Sequence, residues 1–382
     1  MSRFLPRMLC LPAILALLTV LGCTNDAGGG GLHVFDQGSS SVLVWHDLDQ
    51  VHDAARDGKP LPKADRTIKS SLLSGITLAW GGMALDDDHH RLYLVSEAGK
   101  VYVITNPRSK DGALTARGDI LSFSLGGESD RFSSGSVFGQ ASVDSTRNVL
   151  YVMENARNGD AARIWQVGNA SMVPNGNTLA KAGHTFSVEG DKWGAGLAAG
   201  HGHKVFGLFG HGPQYDASSG NGQVTGPRLR EALDGTFPSG FGHNHPIHTL
   251  IGGDTGLPPL RYGSLAYSGR DHSLYVLVPP SGTADPAILV FREHQFRGQH
   301  NQPPAWTMPG VPRDLRFIAH PMNSHWMAGA GFSPAAGTEA HGRGNGQRTL
   351  YLWKAANEAK PHVAVQNLPG VADIRGLAIS AL

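Results

Sequence analysis

Histidine is the residue type with most scope for chemistry in this chain of 382 residues, which holds 19 of them. His201, His203, His211, His243, His245 and His248 crowd into one glycine-rich stretch. Neutral imidazole is the commonest transition-metal ligand. An H-x-H pair on extended backbone points both rings to one side, which suits a divalent zinc, copper or nickel ion. Backbone geometry divides the set. If 194–200 and 203–209 are consecutive strands, His201 and His203 occupy the turn between them and His211 lies past the opposite end. A strand of five or six residues is about 17–20 Å long, so the two groups cannot share one ion. The end bearing His211 also carries the connectors into the following inner strand, where HNHPIH (243–248) is expected to fall. The candidate metal ligands are therefore His211, His243, His245 and His248. The competing reading is of polar loop histidines bonded to backbone or water.

Other chemistry is narrowed by what the chain contains. It has no G-x-S-x-G elbow, no phosphate-binding G-x-x-x-x-G-K-[ST] loop and no H-E-x-x-H. The acidic run Asp86-Asp87-Asp88-His89-His90 reads as a solvated hairpin turn, because its counterparts at 144–148 and 269–272 keep only turn character. A formal net charge of +1 without a Lys/Arg block gives no electrostatic footprint for nucleic acid.

At the N-terminus, Arg3 and Arg7 precede the apolar run MLCLPAILALLTVLG, which has the layout of a secretory signal and is short for a membrane span. The run ends in Val20-Leu21-Gly22-Cys23. This resembles the lipobox of bacterial lipoproteins, which implies removal of residues 1–22 and lipidation of Cys23. The only other cysteine, Cys10, lies in the expected signal, so the mature chain would hold neither a free thiol nor a disulfide. Multiple acyl chains give stable anchoring. Residues 23–31, with glycine at 28–31, read as a flexible tether. Thr24 after the cysteine favours the outer membrane by resemblance to the usual sorting rule.

Positioning any of these groups requires a scaffold, and the chain repeats. G-M-A-L-D-D-D-H-H-R-L-Y-L-V-S-E-A-G-K-V-Y-V-I-T (82–105) recurs from Gly139 and from Gly263, with looser copies at 194–210 and from 313 to 353. Each copy gives three β-rich runs separated by Asp, Asn, Ser or Gly turns. A weaker fourth run follows most of them: ADRTI (64–68), GDILSF (118–123), HTFSV (184–188), PAWTM (304–308) and HVAVQNL (362–368). Four antiparallel strands per unit, at a spacing of about 50 to 70 residues, is the anatomy of a propeller blade. The segment 32–47 with ADRTI matches strands two to four of a blade without the first, and RGLAIS (375–380) supplies a first strand alone. The expected fold is all-β: a six-bladed β-propeller of four-stranded antiparallel blades over 32–382, closed by pairing of the N- and C-terminal strands. Seven blades is the alternative, if 201–260 hides another.

The strand pairs LYLV…KVYVIT and LYVLV…AILVF, with the connectors DGKPLPKADRTI, DGALTARGDI and NQPPAWTMPGVP, resemble those of the NHL-like and YVTN-like propeller lipoproteins of bacteria. The resemblance speaks to fold, since propellers host many functions. Trp45, Trp165 and Trp353 occupy matching third-strand positions, where packing between blades is expected. The glycine-rich HGRGNGQR (341–348) reads as a loop between two blade strands, with an anion cradle as the alternative. Two functions stay open. One is a lipid-anchored cell-envelope module, monomeric, that binds an envelope protein or polymer through the loops of one face. The other is a metal-assisted hydrolase or lactonase with its site at the mouth of the central channel.

Overall fold

The computed structural model describes residues 30–115, 118–126, 136–155, 162–179, 184–187, 193–200, 204–210, 228–233, 248–251, 255, 257, 263–278, 285–297, 301–308, 310–321, 324–333, 347–354, 363–366 and 368–380. The fold is an all-β propeller, and the described strands group into six sheets. From the innermost strand outward, sheet I is Ile374–Ile379, Leu32–Asp36, Ser41–Trp45 and Arg66–Lys69. Sheet II is Leu78–Asp86, Arg91–Ser96, Lys100–Thr105 and Ile120–Leu125. Sheet III is Val137–Asp144, Val149–Asn155, Arg163–Gly168 and His184–Ser187. Sheet IV is Trp193–Gly200, Lys204–Gly210, Arg228–Leu233 and His248–Ile251. Sheet V is Ser264–Ser268, Ser273–Val278, Ala287–Arg292 and Trp306–Met308. Sheet VI is Leu315–Ala319, Met327–Ser333, Gln347–Trp353 and Val363–Gln366. Within 201–260, where an additional blade was the alternative, the described strands belong to one sheet. Two short parallel additions, Gly112–Ala113 on sheet I and Thr178–Leu179 on sheet II, tie outer strands to the chain that follows.

The apolar runs are continuous rather than alternating because both faces of the central strands are covered. In Arg91–Ser96, Leu92 and Leu94 pack toward sheet I, whereas Tyr93 and Val95 pack toward sheet III. The turns are specified locally. Asp86 accepts the His89 amide at 3.1 Å and Asp144 accepts the Arg147 amide at 3.3 Å. His90, Asn148 and His272 take left-handed backbone at corresponding turns of three sheets. The expectation of a hairpin turn at Asp86–His90 is met. Trp45, Trp165 and Trp353 are each buried in a core between their own sheet and the preceding one, which also holds Leu350, Tyr93 and Tyr275 respectively. Indole burial between sheets accounts for their recurrence.

Innermost strands touch in sequence from sheet I through sheet VI and back to sheet I. The return contact depends on the expected composite sheet. Leu32–Asp36 runs antiparallel to Ile374–Ile379, with Leu32 opposite Ile379 and Phe35 opposite Gly376. The Gly31 amide donates to Ser380 Oγ at 2.7 Å, and the Ser380 amide returns a bond to the Gly31 carbonyl at 2.9 Å. Asp36, itself buried, accepts the amides of Ala372 and Asp373 through Oδ1 at 2.9 and 2.7 Å. A side chain at Gly376 would put its Cβ 2.8 Å from that of Met83 in sheet II, so the seam requires a residue without one.

The helix Leu48–Arg56 is an addition to the pattern read from sequence. Asp47 caps it by accepting the Gln50 amide at 3.0 Å. Leu48 and Val51 enter the core between sheets I and VI with Ala55 beside them, one helical stripe. His52 meets the Trp326 ring edge-on at 5.3 Å. Among the described residues no helix is long and apolar enough to cross a membrane.

Candidate functional site: the central channel

Convergence of six inner strands leaves a cavity of about 330 Å³ on the axis. Its walls come from all six: Met83 and Leu85, Ala141 and Val143, Leu197 and Ala199, Leu265 and Tyr267, Phe317 and Ala319, Leu377 and Ile379. An inner strand has no partner on its axial edge, so its amides and carbonyls there need side-chain partners. Neighbouring sheets supply them. Ser142 Oγ accepts the Ala199 amide at 2.8 Å, and Ser264 Oγ accepts the Ile318 amide at 3.1 Å. Just outside the inner strands, Asn155 exchanges bonds with Gly194, accepting its amide at 2.6 Å and donating to its carbonyl at 3.0 Å.

Gln140 reaches furthest. Its Oε1 accepts the amides of Leu197 at 3.0 Å and Leu265 at 3.2 Å, and its Nε2 donates to the Leu265 carbonyl at 2.8 Å. On the other side its Cγ lies 3.2 Å from where a Cβ at Gly81 would be, and Gly81 has φ +67. One side chain from sheet III therefore touches sheets II, IV and V and floors the cavity. Replacing Gln140 by alanine leaves the Leu197 and Leu265 amides without this acceptor, at a cost of about 1–3 kcal/mol each. The expected outcome is a loss of roughly 2–4 kcal/mol in urea unfolding, and a variant within about 0.5 kcal/mol of wild type would show that water replaces the amide adequately.

The rim is formed by residues that follow the inner strands: Asp87 and Asp88, Ser145 and Thr146, His320 and Pro321. Asp87 is paired with Arg108 at 3.3 Å. The His320 ring stacks on Tyr275, with centroids 5.7 Å apart and planes 14° apart. Its Nδ1 donates to the Pro321 carbonyl at 2.6 Å, and its Nε2 is shielded from solvent and has no hydrogen-bond partner. Burial lowers its pKa to about 4, so the ring is neutral at pH 7 and Nε2 is an acceptor.

The metal ligands expected from sequence are only partly within view. His211, His243, His245 and Cys23 lie outside the described residues, as do His201 and His203. His248 does not lead into an inner strand. It opens the outermost strand of sheet IV, opposite Glu231, and the next inner strand begins at Ser264. The displacement arises because Arg228–Leu233, a strand not expected from sequence, takes the third position of sheet IV and leaves His248–Ile251 as the fourth. His248 is three strand spacings, about 14 Å, from the inner strand of its sheet. Among the described residues no group of three or more His, Cys, Asp or Glu side chains could hold a metal ion. Of HGRGNGQR, only Gln347 and Arg348 are described, and they begin the third strand of sheet VI.

No protein-family model matches the chain, and no curated protein sequence does. Solved structures do resemble it. Hydrazine synthase of Kuenenia stuttgartiensis aligns at 10% identity with a TM-score of 0.40, over 73% of this chain and 65% of that one. A gluconolactonase of Xanthomonas campestris aligns at 11% identity with a TM-score of 0.43, over 78% of both chains. A chain of a nidogen/laminin complex aligns at 8% identity with a TM-score of 0.49, over 93% of this chain and 99% of that one. These are likenesses of fold alone.

Gln140, Asp88 and His320 were not singled out as site residues in the sequence. Gln140 had a signal. Aligning GMALD, QASVD, SLAYS and GLAIS puts Gly82, Gln140, Ser264 and Gly376 at one position, where only Gln140 is long enough to cross the axis.

Proposed function

We propose that this chain is a six-bladed binding propeller of the NHL-like or YVTN-like kind, exported and held at the bacterial envelope, in the outer membrane, by a lipidated Cys23. The channel is its ligand site. The observation that carries the binding reading is the build of the cavity: walls contributed by all six inner strands, with the long polar side chain inside it, Gln140, engaged in hydrogen bonds to sheets IV and V. Such a cavity recognises a ligand by shape and by a few polar groups at the rim. The anchor rests on the Val20–Cys23 motif and its apolar run.

A thermal-shift screen of small amphiphiles and oligomers tests the reading, with Ala319→Phe as the channel-blocked control. A ligand present at 100 times its Kd stabilises by about 2.7 kcal/mol, and the blocked variant should lose that gain while keeping its own melting transition. Stabilisation that survives the block would move binding elsewhere. Cys23→Ala should shift the protein from the membrane pellet to the soluble fraction.

A second reading, a metal-assisted hydrolase or lactonase, draws on the carboxylates of Asp87 and Asp88 at one rim. Turnover of lactones or esters that requires an added divalent ion and falls at least tenfold in Asp88→Asn would put this reading first.

A further inference from the structure

The seam of the ring holds a buried titratable group. His33 lies on the Leu32–Asp36 strand, opposite Ala378 of the closing strand and opposite Val44 of the third strand of sheet I. Residues directly opposite one another share a face of the sheet. Ala378 and Val44 belong to the core between sheets I and II, so the imidazole points into that core. It is fully buried, and neither ring nitrogen has a hydrogen-bond partner among the described residues. The titratable groups that act on it are Arg108, in the short turn after the Lys100–Thr105 strand of sheet II, and His46, just past the third strand of sheet I. Asp87 is paired with Arg108. A proton on His33 would therefore enter a core that offers it no acceptor and face a guanidinium, so the closed ring keeps the imidazole neutral.

Sheet I differs from the other five in how its inner strand is held. Ile374–Ile379 is the last strand of the chain and is joined to Leu32–Asp36 by pairing alone, whereas every other inner strand runs on into the second strand of its own sheet. Local opening is easiest where no chain connection resists it. The same strand walls the cavity through Leu377, Ala378 and Ile379. Its displacement admits water to His33 and opens the cavity sideways.

We propose that Ile374–Ile379 is a lateral gate of the central channel, held shut while His33 is neutral and released in mild acid, when the imidazole takes a proton on reaching water. The sign follows from the two states. Burial, then the charges of Arg108 and His46, lower the pKa of His33 to about 3 in the closed ring, against 6.5 for a hydrated imidazole. The open form thus binds the extra proton below pH 6.5, and its population rises about tenfold for each further unit of fall. Entry by this route serves a ligand only if the channel is the ligand site, whereas the opening is measured by itself, so the two readings fail separately.

The test is amide hydrogen exchange of the full chain at pH 7.5 and 5.0, read by mass spectrometry as protection factors, which divide out the intrinsic exchange rate. Expected is lower protection at 32–36 and 374–379 than at Val149–Asn155 of sheet III, and a fall at the seam of roughly thirtyfold between the two pH values, the response of one histidine. His33→Leu and His33→Gln should each remove that fall, and His320→Gln should leave it in place. Equal protection at the seam and in sheet III, falling together and reduced by His320→Gln as much as by the His33 variants, assigns the acid response to unfolding of the whole ring and overturns the gate. A seam whose protection does not fall, or falls undiminished in both His33 variants, overturns it as well. The comparison of seam with sheet III in the wild type decides the matter even where a variant does not fold.

Discussion

Removal of Ile374–Leu382 is expected to abolish the cooperative unfolding transition. Ile374, Leu377 and Ile379 are 1%, 2% and 4% exposed and lie between sheets I and VI. Complete burial of one such side chain contributes about 1.5–3 kcal/mol. Three of them contribute roughly 5–9 kcal/mol, as much as the entire net stability of many domains. The deletion also strips Leu32–Asp36 of its inner partner and the Leu78–Asp86 strand of its neighbour across the seam. Circular dichroism should record a broad, low-temperature melt. Adding a 374–382 peptide in excess should restore part of the transition by strand addition. Asp36→Ala is the graded version. It removes the acceptor of the Ala372 and Asp373 amides and should cost roughly 2–4 kcal/mol while the fold survives. A truncated chain that melts like the intact one would mean the ring stands without its seam.

Acid should unfold this protein earlier than its carboxylates alone would dictate. His33 lies on Leu32–Asp36, completely buried, with neither ring nitrogen hydrogen-bonded. Burial lowers its pKa to about 3, aided by the charge of Arg108, and burial lowers that of His320 to about 4. In the unfolded chain both protonate near 6.5. The unfolded state therefore binds more protons at every pH between these limits, and the sign follows. Stability is complete above pH 6.5 and declines as pH falls toward 4, by about 1.4 kcal/mol per pH unit for each histidine. At pH 4.5 the pair accounts for roughly 5 kcal/mol of lost stability. Urea midpoints measured from pH 7.5 to 4.5 should fall steeply below pH 6 for the wild type and about half as steeply, as far as histidine contributes, for His33→Leu. Parallel curves for the two proteins would refute the assignment. Leucine should also stabilise modestly at pH 7.5, because it removes a buried donor that has no acceptor.

Strand sequences were legible wherever both faces are covered by other sheets. LYLV and KVYVIT can be read because Leu92, Tyr93, Leu94 and Val95 are all completely buried, which leaves no polar residue to interrupt the run. The seam was legible for a related reason, since RGLAIS and LHVFD are each apolar and each incomplete as a unit. Arg228–Leu233 was not legible because RLREAL, with Arg230 beside Glu231 and Ala232 beside Leu233, breaks the period of two and suits a helix as well as a strand. That omission misplaced His248. The helix Leu48–Arg56 was hidden by the connector around it, although Leu48, Val51 and Ala55 keep helical spacing. In the channel, residue types rich in chemistry did not mark the axis. The long polar side chain at the axis, Gln140, matters through its reach, and reach is visible only against the short residues at equivalent positions of the other strands.

The pairing of Leu32–Asp36 with Ile374–Ile379 also bears on how the protein is made. A chain emerging from the ribosome completes Leu32–Asp36 more than three hundred residues before its partner exists. During that interval the strand presents unpaired amides and carbonyls beside Phe35 and Val34, an edge prone to pairing with other nascent chains. His33 lies on that edge, and its ring passes from water to complete burial without a hydrogen-bond partner when the last strand closes the circle, so the closing step carries the desolvation of an imidazole.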